Sequence, residues 1–314
     1  MLIKNSLKLL LNNLNAIFKT LLYSLVVVLL TYLLISVFFS DLITKVVETE
    51  GFKNFVTQIG TVWNSFISGN LRPEVDFVTP FEQLMDTVRL NLLDYLLPVI
   101  GLIIGFYLIT VLNNLCSYTL TCMMDARMSS YEKKGFLATF IAELKNSLPF
   151  EAWYSLFTVL AFVISASIGL LFIVYTFTTL YLTSIIIGLW LFTLVYSAYL
   201  AVTALFRPSS VSGVKGKALF ENKYSAHDFW QILASYVFSL MLFAALNVSM
   251  FVSTLGAGLI ISIPVTQLYF VFNGLVLYYS VEGKKYYMDY EHVITPNKIK
   301  KDARDADFLD DVEM

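Results

Sequence analysis

The run AWYSLFTVLAFVISASIGLLFIVYTFTTLYLTSIIIGLWLFTLVYSAYLAVTALF, residues 152–206, contains no Asp, Glu, Lys or Arg. A helix crossing a bilayer needs roughly 20 apolar residues, so this run holds two spans joined by a short turn. Residues 229–281 are equally free of charge and hold two more. Residues 20–40 hold one, and residues 95–124 hold one with room for tilt. Buried helices of a soluble protein still present a polar stripe to solvent, and runs of this length leave none. Composition agrees, with 58% hydrophobic and 14% charged residues against about 25% charged in soluble domains. The expected fold class is an all-α membrane protein with six transmembrane helices. The first apolar stretch exceeds the roughly 7–15 residues of a signal-peptide core and no A-x-A-like site follows it, so it reads as a span.

Lys and Arg concentrate on the cytoplasmic side of membrane proteins. Lys4, Lys8 and Lys19 precede span one with no acid among them. Arg127, Lys133, Lys134 and Lys145 lie between spans two and three, and Arg207, Lys215, Lys217 and Lys223 between spans four and five. Lys284, Lys285, Lys298, Lys300, Lys301 and Arg304 follow span six. Of the 21 basic residues, only Lys45, Lys53, Arg72 and Arg89 fall in the remaining long segment, which is rich in acids. That segment is expected outside, with both termini in the cytoplasm. The other outer turns, near Tyr175–Ser184 and Val252–Gly258, carry no charge.

The expected organisation is three hairpins, each preceded by a cytoplasmic amphipathic helix. Residues 1–19 form the first interfacial helix, 20–40 span one, 41–92 an outer segment with two amphipathic helices, and 93–121 span two. Residues 122–151 form a cytoplasmic segment, 152–174 span three, 184–206 span four, and 207–229 a second cytoplasmic segment. Span five is 230–252, span six 259–281, and the cytoplasmic tail 282–314. In the first amphipathic element Leu7, Leu10, Leu11, Leu14 and Phe18 share a face opposite Lys4, Lys8, Asn12, Asn15 and Lys19. In the second, Phe136, Phe140, Leu144 and Leu148 repeat at helical spacing, and Pro149 with Glu151 suits the first turn of span three. The third, residues 218–229, has a weaker pattern. Basic amphipathic helices lie in the lipid headgroup layer.

In the outer segment Phe52, Phe55, Val56, Ile59, Val62, Trp63, Phe66 and Ile67 make one apolar helical face. Thr79, Pro80 and Glu82 then read as N-cap, helix-start proline and capping-box acid. Pro98, Val99, Leu102 and Phe106 of span two match Pro264, Val265, Leu268 and Phe272 of span six in order and spacing. Each proline removes a backbone donor, so Pro98 and Pro264 are expected to bend their helices. Gly101 with Gly105, and Ser165 with Gly169, are small-xxx-small pairs that mark close helix contact.

Polar side chains inside a span are costly unless paired. The candidates are Asn113, Asn114, Asn247, Gln267 and Asn273. Asn113, Asn114 and Asn273 lie roughly 12 Å from the cytoplasmic edge at 1.5 Å per residue; Asn247 and Gln267 lie deeper. Interhelical hydrogen bonding accounts for such amides, and a transport site is the sharper reading. Lys284 and Lys285, followed by Tyr286 and Tyr287, form a basic–aromatic anchor for anionic lipid headgroups. The acidic stretch 302–313 is a candidate contact for a protein partner. Cys116 and Cys122 are too few for a zinc site and read as packing residues. No catalytic residue, metal site or cofactor is assigned: His227–Asp228 and the Asp289, Glu291, His292 cluster offer too few ligands, and no H-E-x-x-H or phosphate loop occurs. Cys122, Asp125 and Arg127 resemble a fragment of the lipid-headgroup transferase signature, without its later aspartates.

The layout of interfacial helix plus hairpin, used three times, resembles uncharacterised six-span bacterial proteins related to the membrane domain that accompanies some glycerophosphodiester phosphodiesterases. That resemblance implies a bacterial cell membrane. The phosphodiesterase catalytic domain has no counterpart in this chain, so its activity does not carry over. Three functions stand open. The first is a non-catalytic scaffold or accessory factor in transport or envelope assembly. The second is a small-molecule or lipid transporter or channel with a site between spans two, five and six. The third is an intramembrane enzyme in which the two histidines converge. The expected partners are the bilayer and a protein bound by the tail, with no nucleic acid.

Overall fold

A computed structural model describes residues 2–69, 75–90, 92–180, 182–214, 216, 226–254, 256–289 and 292–295. Helix makes up 87% of the structure, which confines irregular backbone to short connections. The helices are α1 (Leu2–Asn12), α2 (Asn15–Glu48), α3 (Glu50–Ile67), α4 (Val78–Leu90), α5 (Leu92–Ser130), α6 (Phe136–Leu180), α7 (Leu182–Thr203), α8 (Phe206–Val211), α9 (Ala226–Thr254) and α10 (Leu259–Glu282). Strands β1 (Tyr286–Tyr287) and β2 (Val293–Ile294) pair antiparallel, Tyr286 opposite Ile294 and Tyr287 opposite Val293.

Six stretches are long and apolar enough to cross a membrane: Asn15–Leu33, Ile100–Ser130, Phe136–Thr176, Thr183–Val211, Asp228–Thr254 and Leu259–Glu282. The multi-pass helical architecture expected from the charge-free runs is therefore present. The helix ends differ from the expected boundaries. α5 runs on to Ser130 and α6 starts at Phe136, so the segment 122–151 is mostly helix around a short turn. Pro149 does not sit in the first turn of a helix; it lies inside the 45-residue α6. A proline ring can be tolerated in a long helix where neighbouring packing supports the freed backbone group. Residues 217–225 and 296–314, which hold most of the third amphipathic element and the acidic tail, lie outside the described residues, as do the side chains of Asp94 and Pro98.

The chain divides into two compact bodies. The first comprises residues 1–26, 111–154 and 197–314. Its centre is α10, whose Leu268, Tyr269, Phe272 and Leu275 are all fully buried. Gly283 closes this helix in the left-handed region, φ 66°, where glycine carries no Cβ penalty. Helix α1 packs on α10, and part of its apolar face stays outside that contact. Asn5, Ser6, Leu9 and Leu10 are buried, whereas Leu11, Leu14 and Phe18 are exposed. Two specific bonds decide this rotation. Asn5 Nδ2 donates to the Tyr286 hydroxyl at 2.9 Å, and Asn12 Nδ2 donates to the Met288 carbonyl at 3.3 Å. Of the second expected apolar face, Phe136 and Phe140 pack on the Tyr23 ring at 5.8 and 5.6 Å, while Leu144 and Leu148 stay exposed. The Tyr23 hydroxyl is anchored on the Leu112 carbonyl at 2.7 Å.

The second body comprises residues 27–110 and 155–196. Helices α3 and α4 pack together at Gly51, where a Cβ would lie 2.7 Å from the Leu84 nitrogen and 2.9 Å from the Pro80 oxygen. Only a residue without a side chain permits that approach. The Ser165–Gly169 pair does mark a close contact: a Cβ at Gly169 would meet the Gly188 carbonyl oxygen of α7 at 2.8 Å, and Ser165 is fully buried. Rings of Phe106, Phe162, Phe192 and Tyr196 pack edge-on or stacked beside it.

Helix α4 starts earlier than the Thr79–Pro80 reading implies, and its cap is Asp76. Asp76 Oδ1 accepts the backbone N–H groups of Val78 and Thr79 at 2.9 and 3.2 Å, and Oδ2 accepts the Thr79 hydroxyl at 2.5 Å. The Thr79 hydroxyl bond and the two backbone bonds hold the carboxyl below its usual range. A carboxyl depressed in the folded state lends stability above its unfolded pKa and loses it as pH falls through the folded value. Amide protection in the first turn of α4, taken relative to intrinsic exchange at each pH, is therefore expected to fall below about pH 4, and an Asp76→Asn variant to lose most of that dependence. Hydrogen exchange followed from pH 6 to 3 measures this.

Candidate functional site

The five intramembrane amides do not gather into one site. Gln267 Nε2 of α10 donates to Asn113 Oδ1 of α5 at 3.3 Å, and Asn247 Nδ2 of α9 donates to the Thr266 hydroxyl at 3.2 Å. Asn273, fully buried, accepts a long 3.4 Å bond from the Ser6 hydroxyl of α1. Six helical positions separate Gln267 from Asn273, roughly 9 Å along α10, so the two serve different neighbours. Asn247 Oδ1, Gln267 Oε1 and Asn273 Nδ2 reach no partner among the described residues. Each amide thus joins two helices through one bond, which is the behaviour expected of interhelical polar contacts.

Asn114 belongs to a different and stronger cluster, which the sequence reading missed. Arg207 at the start of α8 donates from Nε to Glu151 Oε1 at 2.6 Å and from Nη2 to Glu151 Oε2 at 3.1 Å. The same Nη2 donates to Asn114 Oδ1 at 3.1 Å. The guanidinium also stands 5.0 Å from the Tyr154 ring centre, a cation–π distance. Tyr154 in turn donates to the Thr203 hydroxyl at 3.2 Å, and Thr203 to the Tyr199 carbonyl at 2.9 Å. The Glu151 side chain is 0% exposed and that of Arg207 is 17% exposed. Removing such charges from water is costly unless both are paired and hydrogen-bonded, and the bidentate fork supplies that pairing. The signal was present in the sequence. Glu151 and Arg207 are the first charges on either flank of the run 152–206, so a returning helix pair brings them together.

A cavity of about 60 Å3 opens beside this cluster, lined by Thr121, Tyr154, Thr203, Arg207, Tyr236 and Gly274 among others. None of Asn113, Asn247, Gln267 or Asn273 lines it. No family model matches this chain, and no curated protein or solved structure matches it. The remaining expected positions sit elsewhere. Pro264 is buried inside α10. Its expected counterpart Pro98 lies within the bounds of α5. Lys284 turns back on Tyr278, donating to its hydroxyl at 3.1 Å; that bond raises the Lys284 pKa. Lys285 is exposed. Asp125 accepts the Tyr279 hydroxyl at 2.9 Å, tying α5 to α10. Cys116 is buried in the core, and Cys122 is partly buried beside a polar cleft of about 240 Å3 with Asp125, Glu132, Lys134 and Glu143. His292 pairs with Asp289 at 2.8 Å on an exposed turn. The side chain of His227 lies outside the described residues. Among the described residues, no group of three His, Cys, Asp or Glu side chains is placed to hold a metal ion.

Proposed function

We propose that this chain is a non-catalytic protein of a bacterial cell membrane, built as three hairpins on cytoplasmic amphipathic helices. In this reading both termini are cytoplasmic, and the chain serves as a scaffold or accessory factor in transport or envelope assembly. The observation that carries the proposal is the joining of the two ends of the chain. The Asn5–Tyr286 and Asn12–Met288 bonds fasten α1 to the β1–β2 hairpin, and α1 also lies along α10. Both strands and α1 thereby form one platform. A transporter has no evident need to brace its termini in this way, whereas a docking protein gains a fixed origin for its tail. The uneven distribution of Lys and Arg supports the cytoplasmic placement. Lys284, Lys285 and the platform's edge would meet anionic headgroups.

Photo-crosslinking groups placed within residues 302–314 of the full chain, in intact bacterial membranes, test the proposal. A single protein adduct is expected, weakened when Asn5→Leu and Tyr286→Phe loosen the platform. Absence of any adduct, together with saturable solute flux through vesicles containing the purified protein alone, would overturn it in favour of a carrier.

A further inference from the structure

Arg207 has five N–H donors in a rigid plane. Nε and Nη2 are engaged by Glu151 and Asn114. Nη1 donates to none of the described residues, so two hydrogens of a fixed guanidinium remain. Arg207 lines the cavity of about 60 Å3, and the carboxylate that orients it is fully enclosed behind it. Such a volume exceeds the roughly 10–15 Å3 needed for one water centre and suits a compact polar group. The walls combine hydroxyl-bearing Thr121, Thr203 and Tyr154 with apolar Leu200, Phe270 and Val271. Glu151 and Arg207 bound the charge-free run 152–206, which puts the cavity toward one end of the spans rather than at mid-membrane.

We propose that the Nη1 hydrogens of Arg207 and this cavity bind a phosphate oxyanion, supplied by a lipid headgroup or by free phosphate. Arginine held by a carboxylate and an amide on its other nitrogens presents Nη1 without rotational loss, and its charged N–H groups suit phosphate oxygens. Glu151 is a positioning residue: it sets the plane of the fork and touches no ligand. Gly274 supplies the room. A Cβ there would lie 3.2 Å from the Ala204 oxygen and 3.6 Å from Pro208 Cγ, both on the cavity wall.

Binding is measured on the purified full chain in detergent, by native mass spectrometry with lipid and by calorimetry with sodium phosphate. The lipid probes are dioleoyl phosphatidic acid and dioleoylglycerol, which differ by the phosphate. Two variants are compared: Glu151→Gln with Arg207→Gln, which removes both charges without stranding either, and Gly274→Val, which keeps the ion pair but fills the cavity. Phosphatidic acid retained over dioleoylglycerol, with affinity falling at least about tenfold in both folded variants, supports a lipid phosphate; tenfold corresponds to about 1.4 kcal/mol. Phosphate binding alone, lost in the same variants, supports the free ion. Equal retention of the two lipids with no phosphate binding, or wild-type affinity in Gly274→Val, would overturn the proposal. If the double variant fails to fold, Gly274→Val still decides it.

Discussion

Arg207→Leu is expected to destabilise the folded chain by about 3–5 kcal/mol, because it strands Glu151 as an unpaired and fully buried charge. Glu151 is 0% exposed, and its two oxygens are bonded by the arginine at 2.6 and 3.1 Å. The converse single change, Glu151→Leu, leaves a guanidinium bonded only to Asn114 and stacked on Tyr154. It is expected to cost less, since part of Arg207 already lies at a cavity. Replacing both by Met removes the desolvation cost with the attraction, and the double variant is expected within about 1 kcal/mol of the parent. Thermal unfolding of all four proteins in the same detergent gives the interaction as a double-mutant cycle. A nearly additive cycle would show that the pair is not coupled.

Phe272→Ala is expected to cost about 3–5 kcal/mol, the usual cost of emptying an aromatic site in a packed core. Phe106→Ala is expected to cost about 1 kcal/mol, the order of its single aromatic pairing with Phe162. The two residues occupy matched places in the Pro-Val-x-x-Leu-x-x-x-Phe pattern of spans two and six. Their surroundings differ completely: Phe272 is 0% exposed and Phe106 is 37% exposed. The same contrast holds for Leu268, which is 1% exposed, and Leu102, which is 38% exposed. An outward ring exchanges one apolar neighbour, lipid, for another when it is trimmed. An enclosed ring leaves a void that no neighbour fills. Denaturant-driven unfolding of the two variants, read at the same detergent concentration, separates the cases.

Spans could be read from residue types because the bilayer imposes one rule on all of them: a long stretch must be apolar wherever it meets lipid. Pairing between spans follows no such rule. Gln267 finds Asn113 and Asn247 finds Thr266 because of helix rotation and depth, neither of which hydropathy reports. Rotation likewise sets which side of α1 meets the protein. Its leucines outnumber its amides, yet Asn5 and Ser6 face inward because Tyr286 and Asn273 offer them hydrogen bonds there. At α4, Thr79 carries the expected cap chemistry, but Asp76 caps the helix three residues earlier, at the Val78 and Thr79 N–H groups. Glu151 and Arg207 were legible as flanking charges; counting them as loop residues obscured that their flanks meet. Local composition thus identified which helices are long and apolar enough to cross a membrane, and tertiary geometry decided which residues touch.

The span of 56 residues between Glu151 and Arg207 also sets a clock during synthesis. A ribosome adds about 5–20 residues per second, so Glu151 waits roughly 3–11 s for its counter-charge after it is made. Throughout that interval Glu151 lacks the arginine that pairs with it in the folded chain. A buried carboxyl without its counter-charge takes up a proton instead. The charged pair is therefore completed only when the residue just past α7 arrives.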